Sequence, residues 1–176
     1  GGGAILHDHE LTYSLVLPAE SLLTRNAENL YTTVHRAIIA AVSEQSARPS
    51  QWPLRLRQTE PRQPSSFEPF LCFQRKARGD IVLASPLEVW KILGSAQRRH
   101  RGAILQHGSL LAQRSQAAPE LPGMAEITGI QPDLNQLSVR LPILLGLDLG
   151  FDLALSQLPQ NLLKAAGELE LTKYKS

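Results

Sequence analysis

Trp90-Lys91-Ile92-Leu93-Gly94-Ser95-Ala96-Gln97-Arg98-Arg99, followed by Gly102-Ala103-Ile104-Leu105-Gln106-His107-Gly108-Ser109-Leu110-Leu111, is the stretch on which the fold turns. Each segment reads as a strand, Trp90–Arg98 and Gly102–Ala112, and the basic run Arg98-Arg99-His100-Arg101 between them reads as the turn of a hairpin. Each strand carries a glycine in its interior, Gly94 and Gly108, the mark of a place where a ligand or another backbone approaches closely. Lys91 stands among apolar neighbours, where partial desolvation suits an amine to acyl chemistry. The alternative is a lysine at a strand start with its amine in water.

Working outward, Gly79–Ala84 is a third strand, and Leu54-Arg55-Leu56-Arg57 has the form of a short one inside a loop, 48–70, that holds five of the twelve prolines. Ala4 to Leu17 reads as a strand pair around the polar cluster His7-Asp8-His9-Glu10, with Tyr13, Leu15 and Leu17 alternating with Ser14 and Val16. From Ala19 to about Ser46 the spacing turns helical: Leu22, Leu23, Leu30, Tyr31, Val34, Ile38, Ile39 and Val42 share one face, and Ser21 is the expected N-cap. Gln113–Gly123 is a loop. About 113–176 forms a helical C-terminal part, in which Leu134–Val139, Leu144–Phe151 and Asp152 to about Leu171 alternate short helices with turns. Strands and helices are mixed without strict alternation, so the expected class is α+β, a largely antiparallel mixed sheet flanked by helices, in one domain over 1–176.

The 176 residues are 43% hydrophobic and 19% charged, enough for one real core. The single cysteine, Cys72, excludes an internal disulfide and fits a reducing, cytoplasmic setting. A net charge of +2 gives no support to a nucleic-acid partner. No apolar run reaches the ~18–20 residues of a membrane span; Leu141–Leu155 comes nearest, and Asp148 and Asp152 interrupt it. The chain opens on Gly1-Gly2-Gly3 and its one methionine is Met124, so it is expected to be an N-terminally incomplete piece.

Three motifs carry chemistry. Gly1-Gly2-Gly3-Ala4 leads into Ile5-Leu6-His7-Asp8; glycines let a backbone come close to a ligand and offer it N–H groups. The Lys91-Ile92-Leu93-Gly94-Ser95-Ala96 strand and the Gln106-His107-Gly108-Ser109-Leu110-Leu111 strand are the other two. In this order and spacing they resemble the catalytic domain shared by lipoate–protein ligases and octanoyltransferases, a relative of the biotin–protein ligases. The resemblance covers roughly residues 1–112. It implies a biotin/lipoyl protein ligase-like catalytic domain and the attachment of an octanoyl or lipoyl group to a protein lysine.

Cys72, in Phe70-Leu71-Cys72-Phe73, divides that family. ATP-dependent ligases carry no catalytic thiol in this loop; the cysteine-type octanoyltransferases carry Cys followed by Phe, as here. The resemblance therefore implies that Cys72 takes the acyl group as a thioester and passes it on, with Lys91 orienting the carbonyl and assisting proton transfer. The alternative is a buried, inert thiol. Gly1, Gly2, Gly3 and His7 are implied to wall the acyl pocket, with Gly94, Ser95, His107 and Gly108 beside the acyl carbonyl. His107 is either a donor to a developing oxyanion or a structural histidine bonded within the sheet; Asp8 and His9 read as loop polarity.

No metal or other cofactor is implied for the transferase; a ligase would need ATP and magnesium, and octanoate or lipoate is the group moved. The implied partners are acyl carrier protein and an acceptor of the lipoyl-domain or glycine-cleavage H type. Arg98, Arg99 and Arg101, with Arg75, Lys76 and Arg78, are expected to flank the site and to steer acidic partners. The family's usual arginines and opening sheet segment before the glycines are not matched here. That departure leads to the expectation that another segment or chain completes the sheet, and it keeps a non-catalytic carrier-binding role open.

Overall fold

The computed structural model describes residues 5–18, 20–21, 26–46, 53–58, 69–84 and 88–174. Five strands, β1 (Glu10–Pro18), β2 (Leu54–Leu56), β3 (Ile81–Ala84), β4 (Val89–His100) and β5 (Ala103–Leu111), build one sheet. It is antiparallel throughout, in the order β1-β5-β4-β3-β2. The helices are α1 (Ala27–Ser43), α2 (Met124–Thr128), α3 (Leu134–Leu149) and α4 (Gln160–Leu169). The expected α+β class, with its largely antiparallel sheet, stands.

One face of the sheet is the core. Leu11, Tyr13, Leu15 and Leu17 alternate inward from β1 and meet Ile81, Leu83, Ile92, Leu93, Ile104 and Leu110. Leu30, Val34, Ile38 and Val42 of α1 and Leu137, Leu141, Leu145 and Leu149 of α3 close over them. Thr12, Ser14, Ala96 and His107 alternate to the other face and stay exposed. The pairing of β3 with β4 slips between Ile81 and Val82: Val82 faces Lys91, while Ile81 faces Leu93. That bulge inserts Ile92, so Ile92 and Leu93 both enter the core and Lys91 is aimed away from it.

Several boundaries differ from the sequence reading. The hairpin turn is Arg101-Gly102, with φ of 46° and 74°, so Arg98, Arg99 and His100 belong to β4 and pair with Leu105, Ile104 and Ala103. A two-residue turn needs positive φ at its centre, and Gly102 supplies it readily. The N-terminal strand pair is a single strand: residues 5–9 are not in the sheet, and His9, at φ 43°, turns the chain while its carbonyl accepts from the Ala112 and Gln113 N–H groups. Helix α1 starts at Asn26, whose side chain accepts from the Glu28 and Asn29 N–H groups at 2.9 and 3.3 Å. Ser21 is not the cap; its N–H closes a turn on the Pro18 carbonyl. Leu22 and Leu23 lie outside the described residues.

The two short helices expected around Pro142 are one helix, α3, that runs through the proline. Asp133 caps its start and Gly150, at φ 71°, ends it. The four-leucine stripe packed on the core overrides the broken ladder. Helix α2 had no counterpart in the reading. The helix expected from Asp152 begins only at Gln160: residues 151–159 belong to no helix or strand, and α4 buries no residue. Among the described residues no helix is long and apolar enough to cross a membrane.

Candidate active site

β3 is short, so from Gly94 onward β4 has no strand on that side. The gap is filled from α1 and from the turn before β3. The Ser95 N–H, which a neighbouring strand would otherwise take, donates to the Tyr31 hydroxyl at 3.1 Å. Tyr31 donates to Asp80 Oδ1 at 2.8 Å, and Asp80 Oδ2 receives the Ala77 N–H at 2.7 Å. Lys91 completes the cluster, its Nζ 3.0 Å from Asp80 Oδ2, with side chains 11% and 1% exposed. The same ammonium donates to the Arg75 carbonyl at 3.1 Å and lies 5.7 Å from the centre of the buried Phe73 ring. Lys91 is thus neither in open water nor merely among apolar groups: a buried carboxylate holds it. The Tyr31 phenol is pushed above its usual range, by burial first and then by the Asp80 charge.

Gly94 makes this geometry possible. A Cβ there would overlap the end of the Lys91 side chain and approach Asp80 Oδ1. Gly108 plays the same part on the core face, where a Cβ would overlap Ser95 Oγ and the Tyr13 ring. Across that glycine runs a buried relay whose directions follow from one carbonyl. His35 Nδ1 lies 2.7 Å from the Gly79 oxygen, which can only accept, so the proton sits on Nδ1 and Nε2 accepts from Ser95 Oγ at 2.6 Å. Ser95 in turn receives from Tyr13 at 2.5 Å, and Tyr13 receives from Gln106 Nε2 at 2.8 Å. Burial pushes the His35 pKa down to about 4, against smaller raising effects from the Gly79 carbonyl and Asp80, so the ring is neutral. His35 therefore ties the turn that precedes Asp80 to the strand that carries Lys91.

A cavity of about 610 Å³ opens beside this cluster. Cys72, Lys91, His7, Gly94, Ser95, His107 and Gly108 all line it, with Phe73, Arg75, Tyr13 and Ser109. Cys72 begins a single 3-10 turn, Cys72–Gln74, and is half-buried with a free thiol. The His107 ring is exposed and has no side-chain hydrogen bond among the described residues, although its backbone pairs with β1 and β4. Gly1, Gly2 and Gly3 lie outside the described residues.

The basic groups fall otherwise than expected. Arg75 lines the cavity, and its Nε donates to the Pro69 carbonyl at 2.6 Å. Arg78 pairs with Glu28 at 3.1 Å on the surface. Arg98, Arg99 and Arg101 are exposed at the far end of the hairpin and do not line the cavity. At ~3.3 Å per strand residue, Arg98 stands about 20 Å along β4 from Lys91. Among the described residues no three His, Cys, Asp or Glu side chains gather to hold a metal.

The sequence reading missed Asp80, Tyr31 and His35. Their signal was present: a carboxylate abutting the all-apolar Ile81-Val82-Leu83, and two polar rings four residues apart beside the buried face of a helix.

The family model described as lipoyl protein ligase A/B catalytic domain matches residues 1–120. A protein named octanoyltransferase LipM from Exiguobacterium is 32% identical over 111 residues, 62% of this chain and 38% of that protein. Its namesake from Staphylococcus aureus is 35% identical over 120 residues, 63% of this chain and 39% of that protein. The chain thus spans well under half the length of these curated relatives. Among solved structures, a bi-partite lipoate protein ligase from Thermoplasma acidophilum, studied with its E2 lipoyl domain, superposes with a TM-score of 0.64 at 17% identity, over 100% of this chain and 66% of that one. A biotin protein ligase from Aquifex aeolicus gives 0.55 at 14% identity, over 82% and 54%. At such identities the structural likeness speaks for the fold.

Proposed function

Because this chain belongs to the lipoyl protein ligase A/B catalytic domain family, we propose that it transfers an octanoyl group to a lysine of a lipoyl-accepting protein through a thioester on Cys72. The observation that carries the reading is that the lone thiol and the Lys91 ammonium line one cavity, of a volume within the ~300–1,000 Å³ of small-ligand sites. The similarity to octanoyltransferases named LipM supports it from the sequence side.

In this mechanism the Cys72 thiolate attacks the thioester carbonyl of an octanoyl carrier protein. A new C–S bond forms, the carrier thiolate leaves, and thioester exchange needs no ATP. The acceptor lysine amine then attacks the Cys72 thioester, the Cys72 thiolate leaves and an amide remains. In both halves the carbonyl oxygen gains negative charge. Lys91, fixed by Asp80 and the Arg75 carbonyl, is placed to stabilise it without reorganising. Gly94 and Gly108 let the strands come close to the acyl group. The natural acceptors are lipoyl-domain or glycine-cleavage H-type proteins.

Incubation with octanoyl carrier protein, followed by intact mass, tests the reading. One hydroxylamine-labile octanoyl adduct is expected, and none in Cys72→Ala. Pyrophosphate release from ATP and magnesium with free lipoate, and no adduct, would replace the transferase by a ligase. Carrier binding with neither reaction would mark a non-catalytic binding protein.

A further inference from the structure

The amide-forming half of the reaction leaves a proton to be placed. When the lysine nitrogen bonds to the carbonyl carbon it becomes positively charged, and it must lose a proton before the intermediate collapses to amide. Lys91, for which the resemblance implied a part in proton transfer, is held as an ammonium by Asp80 and the Arg75 carbonyl and has no lone pair, so it can give a proton but not take this one. The Ser95 hydroxyl is committed to His35 and Tyr13, and His35 is fully buried and off the cavity wall. Arg75 has no lone pair to offer.

His7 is different. It lines the cavity, 64% exposed, and its Nδ1 is in a short hydrogen bond to Oε1 of Glu10. A carboxylate only accepts, so Nδ1 carries the hydrogen and Nε2 keeps its lone pair. Glu10 is the first residue of β1, only 4% exposed, and its other oxygen, Oε2, is buried with no hydrogen-bond partner among the described residues. The turn at His9 brings His7 back over Glu10.

We propose that His7 is the general base that receives the proton of the attacking lysine amine, with Glu10 as the positioning residue that fixes its ring and balances its charge. The proposal rests on the Cys72 thioester reading. The nitrogen–carbon bond forms, the proton passes from nitrogen to His7 Nε2, the carbon–sulfur bond breaks, and the leaving thiolate of Cys72 recovers the proton. The charged and titratable groups around His7 are Asp8, His9 and Glu10 on its own segment, and Cys72, Arg75, Lys91 and His107 across the cavity.

The test separates the two half-reactions in the full chain by rapid quench and intact mass: octanoyl transfer from carrier protein to Cys72, then from Cys72 to a lipoyl-domain lysine. General acid–base catalysis contributes about 10²–10⁴-fold. In His7→Gln the second half-reaction is expected to fall about 100-fold or more, and at least about ten times further than the first. Imidazole added to His7→Gly should restore part of the second half-reaction and leave the first unchanged. Glu10→Gln should slow the second half-reaction by a smaller factor through kcat, with KM for the lipoyl domain unchanged. Equal loss in both halves, or no rescue of His7→Gly by imidazole, overturns the proposal. A wild-type chain that forms no Cys72 thioester overturns both the transferase reading and the base.

Discussion

At the scale of single residues, the chemistry depends on charges the protein has taken out of water and then matched. Asp80 accepts three hydrogen bonds or ion-pair contacts, so Lys91 meets the cavity as a fixed cation whose direction is set before any substrate arrives. His35 carries the opposite solution, a ring kept neutral. Its folded pKa, about 4, lies below the ordinary histidine value of 6.5, so the folded state resists protonation. The associated stability is fully present above pH 6.5 and is lost as pH falls toward about 4. At ~1.4 kcal/mol per unit this amounts to about 3 kcal/mol. Denaturant unfolding between pH 7 and 4 should therefore weaken more steeply in the wild type than in His35→Gln, and parallel curves would refute the assignment.

At the scale of elements, β4 does two jobs through two local devices. The bulge at Ile92 turns Lys91 out of the core, and Gly94 leaves space for its side chain to fold back toward Asp80. Gly94→Ala should leave the fold intact, because the atoms in the way are the free end of a flexible lysine. Displacing that ammonium by about an ångström should slow octanoyl loading of Cys72 by about 100-fold. Loading at the wild-type rate, measured by intact mass, would count against the role given to Lys91. In α3 the exposed Pro142 has no N–H for the ladder. Interior proline costs a helix about 3 kcal/mol relative to alanine, so Pro142→Ala should raise stability by roughly 1–3 kcal/mol. Chemical denaturation would show it as a higher midpoint at the same slope. These two elements also separate what could be read locally from what could not. The strands around Gly94 and Gly108 were legible from alternation and glycine placement. α3 was not, because its continuity through a proline comes from Leu137, Leu141, Leu145 and Leu149 packing on a core that no local pattern displays.

At the scale of the whole molecule, the reactive cavity and the basic hairpin tip are at different ends of the same strand. Arg98 and Arg101 can act on a partner only through the long-range field or by touching it directly. Reversing both charges should slow acyl transfer more at low salt than at high salt, since steering fades once the screening length falls to about 8–10 Å. Rates unchanged at both ionic strengths would remove the hairpin from the docking surface.

The α+β class and the core strands were already written in the order of residues, because apolar periodicity is a property of the chain itself; the family, and the expectation that Cys72 and Lys91 share one cavity, came from the resemblance of its motifs. What holds that pair was decided only in three dimensions. Tyr31 reaches Asp80 across 49 positions, His35 reaches Ser95 across 60, and Gln106 reaches Tyr13 across 93. No local pattern links such residues. They meet because β3 stops short, α1 packs across the gap, and a buried polar group must find its partner wherever the packing of the core has placed one.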